Sequence, residues 1–136
     1  MNWKLIFLLS LFGLAMAFLT ISIIPSMIEP FCWLTIFLIC SFCIAKYAPG
    51  KYFLHGFAVA IVNSIWVTAA QIAFFHQYVA AHPEFLQMTS GLAPDLAGHP
   101  RRMMLPIGLI TGVLSGLILG LFAFVASKIF KTTPAE

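Results

Sequence analysis

The chain has 136 residues, of which 62% are hydrophobic and 8% charged, and its mean hydropathy is +1.04. Soluble domains carry about 25% charged residues, so the composition excludes a soluble globular fold and assigns the chain to the lipid bilayer. The formal net charge of +3 is spread along the sequence without a basic cluster interleaved with aromatics, which excludes a nucleic-acid partner.

A helix needs about 20 mostly apolar residues to cross a hydrocarbon core about 30 Å thick. The first such run covers residues 5–24 and stops at Pro25, which lacks a backbone donor and disfavours helix in the residue before it. Lys4 and "AMA" at residues 15–17 imitate a secretory signal with a small-residue cleavage site, but the apolar run continues to Ile24, beyond the about 7–15 residues of a signal core. Retention follows; cleavage would leave three spans in the same orientation. Along this helix Ser10, Gly13, Ala17 and Thr20 form a narrow stripe of small residues.

The second span, residues 31–47, lies between Pro30 and "APGK", and at about 17 residues it is close to the lower limit for crossing. It carries all the cysteines, Cys32, Cys40 and Cys43. "CSFC" has redox spacing, but mid-membrane it lacks the polar setting that activates a thiol, so these are small buried hydrophobes and no disulfide framework. Glu29, between Pro25 and Pro30, reads as a boundary residue and not as a proton-coupling carboxylate.

The third span, residues 52–78, places Gly56, Ala60, Asn63, Ser64, Ala70 and Gln71 within about 120° of one another at about 100° per residue. Asn63, Ser64, Thr68 and Gln71 are its polar members. An amide in hydrocarbon needs a partner or a water-filled cavity, so these residues either bond to a neighbouring helix, worth about 0.6 kcal/mol on average, or line a polar path. His55 falls near a membrane boundary, where a half-wetted imidazole needs no special role.

Residues 79–102, "HPEFLQMTSGLAPDLAGHPRR" in their main part, are punctuated by Pro83, Gly91, Pro94, Gly98 and Pro100 and read as an outer loop with one short helix. His76, His82, Glu84, Asp95 and His99 are ligand types for zinc, but their spacing fits no metal-binding pattern and no metal is expected. The fourth span, residues 103–130, contains "GLITGVLSGLILG", in which Gly108, Gly112, Gly116 and Gly120 recur at every fourth position. Steps of four turn the helix by about 400° and rise about 6 Å, so the glycines line a slightly inclined groove. Small residues at this spacing let two helices approach closely in lipid. The groove predicts a partner helix, within the chain or in a second copy. Gly13, Ala17, Gly56 and Ala60 mark the internal candidates.

Lys4, Lys46, Lys51, Lys128 and Lys131 fall on one side of a four-span chain and Arg101 and Arg102 on the other, so the positive-inside rule puts both termini in the cytoplasm. The stretch "GFAVAIVNSIWVTAAQIAFFHQYVAAHPEF" followed by a glycine-rich span ending "SKIFK" resembles an uncharacterised family of four-helix bacterial integral membrane proteins, a domain of unknown function. The resemblance covers residue 51 to about residue 131 and implies a four-span bacterial membrane protein, with no activity attached; the expected location is the bacterial inner membrane.

Composition and spacing therefore predict one all-α membrane domain of four transmembrane helices in a compact bundle. No Ser-His-Asp order, phosphate loop or pair of buried acids points to an enzyme, and no cofactor is implied. The role expected first is a non-enzymatic accessory or self-associating component, its partners the lipid bilayer and either further copies or another membrane protein. The alternative is a small-solute transporter or channel subunit whose path is lined by Asn63, Ser64, Thr68 and Gln71.

Overall fold

The computed structural model describes residues 1–92 and 94–130, and every regular element among them is a helix. Four helices are long and apolar enough to cross a membrane: α1 (Trp3–Ser22), α2 (Glu29–Tyr47), α3 (Tyr52–Ala73) and, last in the chain, α7 (Pro100–Ile129). Between α3 and α7 run three short ones, α4 (Phe75–Ala81), α5 (Pro83–Ser90) and α6 (Pro94–Ala97). Lys131 lies outside the described residues.

Two boundaries differ from expectation. The third span ends at Ala73, because Phe74 leaves the helical region (φ −109°, ψ 41°). Arg101 then takes the freed end of α3: its Nε and Nη2 donate to the Ile72 carbonyl at 2.9 and 2.7 Å, and its guanidinium lies 5.7 Å over the Phe75 ring. The predicted outer loop is mostly helical. Its prolines start helices instead of breaking them, since Pro83 and Pro100 occupy first-turn positions where a missing N–H costs nothing. Pro30 does the same for α2, lengthening it to 19 residues.

α3 is the central helix, with α1 and α7 packed on its two sides. The α7 glycines meet it in one antiparallel register. A Cβ added at Gly108 would strike Thr68, one at Gly112 Ser64, and one at Gly56 would lie 2.6 Å from the Leu119 carbonyl oxygen and 2.9 Å from the Gly120 Cα. Gly116 and Gly120 are covered by the Phe57 and Phe53 rings. α3 thus answers the glycine row with a row of its own at the same spacing: Gly56, Ala60, Ser64 and Thr68. On the other side, Ser10, Gly13, Ala17 and Thr20 are buried. Gly13 makes room for the Asn63 side chain, and Ala17 packs with Ile21 and Ala70. Most large residues of α7, including Leu109, Leu114 and Leu117, face outward, while Met104 and Leu119 are buried.

α2 joins the others over only half its length. At the end that carries both termini, Leu5, Ile6 and Leu9 of α1, Cys40 and Ile44 of α2, Val59 and Ala60 of α3, and Leu119 and Ala123 of α7 form one core. Towards Glu29, α2 departs from α3, and the four-way contact expected of a uniformly compact bundle is confined to that one end.

His55 also differs from expectation: it is buried, not half-wet. Its Nε2 accepts the Asn2 backbone N–H at 2.9 Å, so Nδ1 carries the proton and donates to the Lys51 carbonyl at 3.0 Å. The Asn2 side chain caps α1 by accepting from the Leu5 N–H at 3.2 Å. The start of α1 is thereby tied to the start of α3. The turn before α3 needs Gly50, whose φ of +138° disfavours any side chain.

Candidate functional site

Where α2 departs from α3, a half-enclosed cavity of about 560 Å³ opens between α2, α3 and α7. Small-molecule sites occupy about 300–1,000 Å³ and are mostly apolar with a few placed polar groups. The α2 wall is Pro30, Trp33, Leu34 and Phe37, the α7 wall Met104, Ile107, Gly108, Thr111, Ser115 and Ile118, and Tyr78, Phe85 and Met88 roof the outer end.

All four polar residues of the predicted path line this one cavity: Asn63, Ser64, Thr68 and Gln71, with Ala60 and Val67 beside them. They run along one side of α3, spaced so that Asn63 is deep and Gln71 lies about 12 Å nearer the roof. Ser64 and Thr68 have a second task, since they also fill the seam against Gly112 and Gly108. Ser64 Oγ donates to the Ile61 carbonyl at 2.8 Å, which leaves the hydroxyl free only to accept. Asn63 differs: it is 3% exposed, its carboxamide is turned towards Gly13 of α1, and neither Oδ1 nor Nδ2 has a hydrogen-bond partner.

The outer end holds Glu29, the one carboxylate of the lining among the described residues. Trp33 Nε1 donates to its Oε1 at 3.3 Å, and His82 Nε2 lies 4.0 Å from its Oε2. The His82 ring stacks on Tyr78 at 4.3 Å, and its Nδ1 donates to the Tyr78 carbonyl at 3.0 Å. Burial first, then the nearby charges of Glu29 and Glu84, push the Tyr78 phenol up to about 12. Glu84 itself is held below its ordinary value by its own backbone N–H and by the Ser26 hydroxyl, which donates to it at 2.8 Å. Glu29 is the first residue of α2, at the outer boundary, and it also lines the cavity, which its sequence position did not show. Its i, i+4 spacing to Trp33 and the aromatic run after His76 were the available signals, but only the fold of α4 and α5 over α2 joins them.

Of the candidate metal ligands, His82 is brought to Glu29, while His76, Glu84, Asp95 and His99 are exposed. Among the described residues no three His, Cys, Asp or Glu side chains form a group that could hold a metal ion. Cys32, Cys40 and Cys43 are free. The chain has no significant match among protein-family models, curated proteins or solved structures.

Proposed function

We propose that this chain is a multi-pass protein of the bacterial inner membrane that binds a small solute without transforming it and serves as a transporter or carrier subunit. The observation that carries this reading is the convergence of Asn63, Ser64, Thr68 and Gln71 on one cavity at membrane depth, where polar groups mark solute pathways. The tightly packed end, with Cys40, Ile44, Val59, Leu119 and Ala123 at 0% exposure, argues for a carrier open to one side at a time and against a continuous channel. Self-association through the glycine row loses its basis, because that row is occupied by α3 of the same chain. The four long helices form a membrane bundle, closed at the lysine-bearing end and splayed at the other. Lys4, Lys46, Lys51 and Lys128 at the closed end support a cytoplasmic location for it and for both termini.

Single-cysteine variants in a background lacking Cys32, Cys40 and Cys43 test both claims. In sealed vesicles, a membrane-impermeant methanethiosulfonate added outside should modify Thr68→Cys and Gln71→Cys, spare Ala123→Cys, and reach Ser90→Cys but not Lys51→Cys. Failure of Thr68→Cys and Gln71→Cys to react from either face would overturn the solute cavity. The reverse pattern at residues 51 and 90 would overturn the orientation alone.

A further inference from the structure

The outer end of the cavity carries the charge that selects a solute. Resting on the carrier reading, we infer that the site takes an organic monocation, an ammonium head on an apolar body, with the head at Glu29 and among the aromatic rings beside it. The Glu29 side chain lines the cavity and keeps 27% exposure, so it is reachable from there. Its Oε1 accepts from Trp33 Nε1, a neutral donor, at 3.3 Å. Facing Oε2 at 4.0 Å is His82 Nε2, which bears a lone pair because Nδ1 donates to the Tyr78 carbonyl, and which has no hydrogen-bond partner. Among the described residues no Lys or Arg forms an ion pair with this carboxylate. A partly buried carboxylate without a counter-charge is costly, and a cation brought to it recovers that cost.

The walls around Glu29 decide which charged molecules fit. Trp33 and Phe37 of α2 pack edge to face at 6.2 Å, as do Tyr78 of α4 and Phe85 of α5 at 5.9 Å, and all four rings line the cavity. Aromatic rings attract a weakly hydrated ammonium within about 6 Å of their centroids, more strongly as water is removed. A metal cation would lose its hydration shell without replacement, because the described lining supplies a single carboxylate and, among the described residues, no group of His, Cys, Asp or Glu could hold such an ion. An anion would meet Glu29 in a described lining without Lys or Arg, and a neutral molecule would leave Glu29 unpaired. Leu34, Ile107 and Ile118 receive the apolar body.

Benzyltrimethylammonium, neopentylbenzene and benzylsulfonate share a benzyl group and a tetrahedral head that is positive, neutral or negative. Each is titrated onto the full chain in uncharged maltoside micelles at about pH 8, above the ordinary imidazole range, with affinities compared at equal micellar mole fraction. Trp33 fluorescence follows binding, with Trp33→Phe as the blank. Benzyltrimethylammonium should bind about tenfold or more tightly than neopentylbenzene, and benzylsulfonate should be weakest. In Glu29→Gln, which keeps an acceptor for Trp33, the cation should lose that advantage while neopentylbenzene binds as before. The order of the three probes on the unaltered chain decides the matter even where this variant does not fold. Phosphatidylethanolamine added to the micelles separates two sources of the ammonium: competition with the cation assigns a lipid head group, and no competition a free solute. Equal binding of all three probes, or an unchanged cation affinity in folded Glu29→Gln, would overturn the solute class and leave the cavity reading standing. Absence of any Trp33 response would overturn both.

Discussion

Replacing Gly56 with alanine tests the helix contact on which the fold depends. The added Cβ would lie 2.6 Å from the Leu119 carbonyl oxygen and 2.9 Å from the Gly120 backbone, against the 3.4 Å or more of an ordinary contact. The obstructing atoms are backbone, so no rotamer change relieves them and α3 and α7 must move apart by most of an ångström. Overpacking of this kind costs about 1–3 kcal/mol, while alanine in place of a helical glycine returns about 1 kcal/mol of propensity. Because the obstructing atoms are backbone, the cost lies at the upper end of that range, and the net expectation is destabilisation by about 2 kcal/mol. Gly116→Ala is the internal control. Its Cβ would meet the Phe57 ring at 2.7 Å, an aromatic side chain that can swing aside, so propensity and crowding should nearly cancel. Leu117→Ala, on the exposed face, should cost little. Thermal unfolding in detergent, with particle mass from light scattering, should show Gly56→Ala melting below both controls at unchanged mass. Wild-type melting for Gly56→Ala would refute the close α3–α7 approach. A drop in mass with the monomer fold intact would mean that the glycine row joins separate chains.

Four further outcomes follow from particular contacts. His55→Phe leaves the Asn2 N–H without its acceptor and should cost about 1–3 kcal/mol, seen as a lower melting temperature and faster amide exchange at the start of α1. Arg101→Met frees the Ile72 carbonyl and should cost about 1 kcal/mol; Arg101→Lys, with no fork to donate twice, should recover only part of it. The Tyr78 phenol should ionise near pH 12 in the wild-type minus Tyr78→Phe ultraviolet titration, and Glu29→Gln should lower that midpoint by removing a neighbouring negative charge. Since the folded value lies above the ordinary 10, the stability this phenol contributes is present below pH 10 and declines as pH rises towards 12. A chelator should leave the melting curve unchanged; a large drop reversed by zinc would show that the outer histidines hold a metal after all.

The long helices were legible because a run of apolar residues has one viable backbone in lipid, and the small-residue stripes on α1, α3 and α7 could be read from spacing alone. What spacing left open was the pairing. Gly112 could face Ser64 or another chain equally well until the turn at Gly50 and the tie between Asn2 and His55 oriented α3. The outer segment was misread because Pro and Gly are turn signals in isolation, whereas Pro83 and Pro100 stand in first helical turns here. The end of α3 at Phe74 has no local signature. Arg101, 29 residues downstream, supplies the cap. The cavity was legible in part: Asn63, Ser64, Thr68 and Gln71 share a side of one helix, but Glu29, Trp33 and Tyr78 join them only through tertiary contact.

The cavity itself has a cause in α2. Near its C-terminal end this helix turns Cys40, Ser41, Ile44 and Ala45 inward, three of them small, and there it lies close enough to form the four-way core. Towards its N-terminal end the inward residues are Trp33 and Phe37, stacked edge to face at 6.2 Å, which keep the α2 backbone away from α3. Opposite them α3 and α7 present Ser64, Thr68, Gly108 and Thr111, too small to fill the distance. Small residues therefore have opposite effects on the two sides of α3. Facing α7 they remove the space between helices, and facing the aromatic half of α2 they leave it open.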